Sequence, residues 1–220
     1  MAVLHHSYLF RADSFRQAVQ PLIPDLRSGH YEVLRQRALP LAAQPDVRSF
    51  LAALRADDGY DEGWTDVEPE VFFSMLLVEF ATPFPLGQGF DQNGWTAFHV
   101  AESAARFAGW ARQDVERICN GRVLCELLGE APIAVDEDHR RWCASTAGWL
   151  STEDIERYRS EMDILQQRCD QIADLWRAKW PVWTGNGELP RMINDSLSRY
   201  CATYDAALSS QQQLLVFTMA

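Results

Sequence analysis

Apolar residues along this chain fall mostly at the three- and four-residue intervals of a helix. The pattern runs over 13–19 and 31–39, punctuated by Pro21, Pro24 and Pro40. It resumes after Pro45, where Val47, Phe50, Leu51 and Leu54 line one face. VFFSMLLVEFA, from Val71, is apolar nearly all round, which predicts a core helix with Pro69 in its first turn. In the next helix Val100, Ala104 and Phe107 form an apolar side, opposite a polar stripe of His99, Glu102, Ser103 and Arg106; Thr96 is placed to cap it. A further stretch covers 112–128 and turns at Gly129 and Pro132.

Over 151–180 the spacing predicts one long helix, with Ile155, Tyr158, Met162, Leu165, Cys169, Ile172, Leu175 and Trp176 facing inward. A last helix is expected over 191–208. The C-terminal LLVFTM fits either a helix end or one short strand. Between the helical stretches, TPFPLGQGFDQNG at 82–94 reads as loop, because its two prolines and three glycines disfavour any regular element. The resulting expectation is a single, predominantly all-α domain over 1–220, a bundle of about seven to nine helices. It divides into an N-terminal helical part (1–56), an acidic loop (57–70) and a helical core (71–208).

Two segments echo each other, GWARQDVER at 109–117 and GWLSTEDIER at 148–157. At an offset of 40 the matches are Asp114/Asp154, Val115/Ile155, Glu116/Glu156 and Arg117/Arg157. In the second copy Ser151 is a good N-cap, Asp154 stands where a capping box places its acid, and Leu150 can close on Ile155 as a staple. The shared residues are those that start a helix, with acids at the positive end of its dipole. The echo is therefore read as local helix chemistry rather than a repeated binding element.

Charge narrows the choice of partner. Acidic residues outnumber basic ones 31 to 20, a formal net charge of −11 in 220 residues. That field opposes phosphate backbones and anionic membranes. The nearest basic stripe, Arg106, Arg112, Arg117 and Arg122, is interleaved with Glu102, Asp114, Glu116 and Glu126. No nucleic-acid or membrane partner is expected. No apolar run approaches the ~18 residues of a spanning helix, and the N-terminus lacks the n-region and apolar stretch of a signal peptide. Five cysteines without a CxxC spacing suggest neither a disulfide framework nor a zinc knuckle, so a reduced, cytoplasmic chain is expected.

Candidate chemistry is sparse. His99 and Glu102, and Asp136 and His139, are each three residues apart, so each pair could present an imidazole and a carboxylate to one metal. The ligand logic of di-metal bundles needs further carboxylates, and only Glu79 is at hand. The ordinary alternative pairs Glu102 with Arg106 at i,i+4. DDGYDEGWTDVEPE, 57–70, holds seven carboxylates but fails the EF-hand pattern, with Gly59 at position 3 and no glycine at position 6. Tyr60 and Trp64 among Asp61 and Glu62 suit docking on a basic protein surface, where aromatics anchor and charges steer. Phe84, Phe90 and Trp95 could line a pocket or fill a gap in the core. Ser103, Ser145 and Cys143 lack any nucleophile signature.

Two functions from different classes follow. The first is an acidic helical interaction or inhibitor module, of the immunity or regulatory type, that binds a basic protein through Tyr60, Asp61, Glu62 and Trp64 without a cofactor. The alternative is a helical metal-dependent enzyme or small-molecule binder that uses His99, Glu102, Asp136 and His139 below the 82–95 loop.

Overall fold

A computed structural model of the chain describes residues 4–58, 69–84, 97–130, 147–180 and 188–219. Helices dominate, as the apolar periodicity requires, but they surround a five-stranded antiparallel sheet, so the fold is α+β and not all-α. The strands are β1 (Leu4–Phe10), β2 (Ala81–Phe84), β3 (Arg122–Val123), β4 (Ala147–Leu150) and β5 (Gln213–Met219). Their order across the sheet is β2-β1-β5-β4-β3. The two ends of the chain thus pair with each other in the middle, from Leu4 opposite Met219 to Phe10 opposite Gln213. The ambiguous LLVFTM belongs to this central strand.

Side chains alternate across a strand, and here each face meets a different apolar core. Tyr8, Phe10, Ala147 and Leu215 point into the first core; Leu150 and Leu214 point into the second, with half-buried Leu9 against it. Trp149, half-buried, packs on the first. Register brings these residues into rows: Leu215 lies between Tyr8 and Trp149, and Leu214 between Leu9 and Leu150. A strand covered on both faces has no need of a polar side, so it reads as a nearly continuous apolar run. That is why LLVFTM and SYLF carry no clear alternation.

The first face is covered by α1 (Ala12–Val19), α2 (Ile23–Arg27), α3 (Glu32–Ala38), α4 (Pro45–Asp58), α5 (Pro69–Glu79) and the single turn α8 (Leu124–Leu127). In α5 every residue from Val71 to Val78 is buried, in keeping with its all-round apolar sequence. Phe15 contacts Phe10 and Phe73 at centroid distances of 5.5 Å each. The second face is covered by α6 (Ala97–Phe107), α7 (Arg112–Asn120), α9 (Thr152–Gln167), α10 (Cys169–Lys179) and α11 (Leu189–Ser209).

Several expectations change on this frame. The described residues hold more and shorter helices than seven to nine. The stretch 112–128 divides into α7, β3 and α8, and 151–180 breaks at Arg168, whose φ of −110° and ψ of 13° leave the helical region. Leu175 is 43% exposed rather than buried. At 100° per residue it lies roughly 110° from the centre of the face formed by Cys169, Ile172, Ala173 and Trp176. Ser103 is buried, because the small residues Ala101, Ala104 and Ala105 let α6 pack closely on its neighbours. The loop reading of 82–94 fails at its start: Thr82 and Pro83 continue β2 opposite Leu9 and Tyr8. Proline is tolerated there because β2 is an edge strand.

Two glycines fix the joint between α7 and the sheet. Gly121 ends α7 with φ of +70° and donates its N–H to Arg117 O at 2.8 Å. A Cβ on Gly148 would stand 1.8 Å from Asn120 O, so the end of α7 lies directly on β4.

Candidate functional site

The echoed segments meet at the sheet edge. In the second copy Ser151 caps α9: its Oγ accepts from Asp154 N–H at 3.2 Å, and the Asp154 carboxylate accepts from Ser151 N–H at 3.2 Å and Oγ–H at 2.9 Å. Leu150 and Ile155 are both buried in the second core, as a staple requires. The first copy starts α7 at Ala111 with no side-chain cap. The two helix starts are joined by Arg157, which reaches Asp114 at 3.1 Å.

Asp154 does more than cap. Arg122 of β3 donates Nε and Nη2 to its carboxylate at 2.6 and 2.9 Å, and the guanidinium sits 5.9 Å from the Trp149 ring centroid. Burial alone would raise the Asp154 pKa. The bonds from Arg122 and from the Ser151 side chain and backbone outweigh burial and hold it below the usual carboxylate range. Arg122, Ser151 and Asp154 are each engaged with one another, which makes the node a fastening between β3 and α9 rather than a reactive centre. Ser151-x-x-Asp154 was visible in the sequence. Arg122 was not assigned to it, because only the β3–β4 pairing brings residues 122 and 154 together.

The metal-ligand candidates divide. His99 and Glu102 share α6, as the spacing predicts, with His99 and Glu102 both half-buried. Glu102 accepts from Arg106 Nη2 at 2.6 Å and Nε at 3.1 Å, the i,i+4 pair that was the ordinary alternative. Glu79 is likewise engaged, by Arg37 at 3.0 Å. Asp136 and His139 lie outside the described residues. Among the described residues no three His, Cys, Asp or Glu side chains gather in a way that would hold a metal ion.

The interaction candidates Tyr60, Asp61, Glu62 and Trp64, and the pocket candidates Phe90 and Trp95, also lie outside the described residues. Phe84 ends β2, opposite Ser7. The structure does fix the ends of the acidic segment: α4 closes at Asp58 and α5 opens at Pro69. Both helices are rooted in the first core, through Val47 and Leu51 and through Val71–Val78.

Elsewhere, Ser7, Ile118, Leu150, Tyr200, Tyr204, Leu214 and Val216 surround a seam on the second face with no room for a water molecule. The thiols of Cys169 and Cys201 are buried and pushed up by burial, the opposite of an activated nucleophile. Most arginines with described side chains are already paired with carboxylates of this chain, among them Arg16, Arg27, Arg112, Arg159 and Arg177.

Fold and site together define an α+β protein of three layers, with helices on both faces of an antiparallel sheet. The chain matches no known protein family, no curated protein and no solved structure. Among the described residues no helix is long and apolar enough to cross a membrane.

Proposed function

We propose that this chain is an acidic interaction module that binds a basic protein through its 57–70 segment. Tyr60 and Trp64 are the apolar anchors, and Asp61 and Glu62 supply the steering charge. The observation that carries this reading is the mounting of the segment: of its seven carboxylates, Asp57, Asp58 and Glu70 belong to the ends of α4 and α5, and Asp61, Glu62, Asp66 and Glu68 stand in the sequence between these two helices, both held in the first core. A charged segment with fixed ends loses less freedom on binding than a free tail, so more of its contact energy becomes affinity.

The charge of the remaining surface supports the same choice. With most described arginines spent on internal ion pairs and a net charge of −11, the chain's field favours a cationic partner. The metal-dependent or small-molecule alternative has less behind it, since Glu102 on α6 is committed to Arg106.

The test compares the wild-type chain with the double reversal Asp61→Lys/Glu62→Lys as baits in quantitative pull-downs, followed by association kinetics on the recovered partner. The wild type is expected to enrich basic proteins. The reversal should cut the association rate by about tenfold or more at low salt, since steering of this kind changes rates by 10–1,000-fold. Trp64→Ala should speed dissociation instead. The melting temperature should stay unchanged in all three. Equal capture and equal rates across them would remove the segment from the function.

A further inference from the structure

We draw no further inference here: the strongest candidate, the aromatic patch at the end of α10 where Phe107 and the 43% exposed Trp180 flank the ammonium of Lys179 at 5.8 and 5.7 Å, carries nothing because nothing in the structure shows what covers it.

Discussion

The two helical layers pack against the same sheet by different means. On the first face, short helices close around large rings, with Phe15 edge-on to Phe73 and Phe80 at 5.5 and 6.0 Å. Most of that layer comes from one contiguous stretch, α1 to α5. On the second face the helices are longer, α6 contributes alanines, and α9, α10 and α11 contribute Tyr158, Trp176, Tyr200 and Tyr204. That layer is also laced by polar ties between elements: Arg157 to Asp114, Arg159 to Asp205 at 2.7 Å, and Gln166 to Ser198 at 2.9 Å. Apolar burial is non-directional and scales with area, whereas a hydrogen-bonded pair fixes a position. The first layer has ties of its own, Arg37 to Glu79 at 3.0 Å and Arg27 Nε to Glu130 at 2.8 Å, made by partly exposed side chains. The second adds a pair with one almost fully buried partner, Asp154, held by Arg122 at 2.6 Å. The sheet is the wall they share, so each strand serves both.

The largest effect is expected at the joint between second layer and sheet. Gly148→Ala places a methyl carbon against Asn120 O, where 1.8 Å is available. The backbone must shift, at a cost of about 3 kcal/mol or more. A urea melt with an unchanged midpoint would show that α7 does not end on β4.

Leu214→Ala and Leu215→Ala come next, at ~2–5 kcal/mol each. They are neighbours in β5, yet one empties the second core and the other the first. If the sheet separates the cores, the double substitution should cost the sum of the single losses to within about 0.5 kcal/mol. A double loss well short of that sum would mean one continuous core and dissolve the distinction between layers.

Asp154→Asn tests the polar fastening and should cost ~2–3 kcal/mol, because it removes the charge that faces Arg122 and turns one of the two accepting oxygens into a donor, too few acceptors for Arg122 and Ser151 together. A depressed carboxyl pKa contributes stability above the unfolded value of about 3.9 and loses it as pH falls through the lower folded value. The gap between wild type and Asp154→Asn should therefore close as the pH falls below about 4. A gap independent of pH in that range would show that the ionised pair is not the source.

The smallest effect is at Tyr158, whose hydroxyl is buried with no hydrogen-bond partner among the described residues. Burial, then the Asp114 charge, pushes its pKa up to about 12; Tyr8 also reaches about 12 through burial and then Asp46. A raised phenol pKa contributes stability below the unfolded value of ~10 that is lost as pH rises through the folded one. Tyr158→Phe should change neutral-pH stability by less than about 1 kcal/mol, and should remove one late step from an ultraviolet titration. Ionisation of Tyr158 near pH 10 in the folded protein would put its hydroxyl in contact with water.

Helices were legible because amphipathic spacing is a local signal, and the cap at Ser151 because its partner is three residues away. The sheet was not, for reasons that differ by strand. β1 contains His5, His6 and Ser7, which break up its apolar character, and its partner β5 lies some 200 residues away in sequence. β2 is disguised by Pro83, and β3 is two residues long. β5 is apolar on both faces, which erases the alternation that would have distinguished a strand from a helix end. Of the candidate site, the Glu102–Arg106 pair was readable because i,i+4 spacing defines it. Arg122–Asp154 was not, since it depends on a β-pairing.

The most direct measurement is residue-resolved amide hydrogen exchange on the intact chain under native conditions. If β1 and β5 form the middle of the sheet between two helical layers, amides in Leu4–Phe10 and Gln213–Met219 should be among the slowest, opening only with global unfolding. Exchange of both segments at the rate of frayed termini, with protection confined to the helices, would return the chain to an all-α bundle and contradict the three-layer fold.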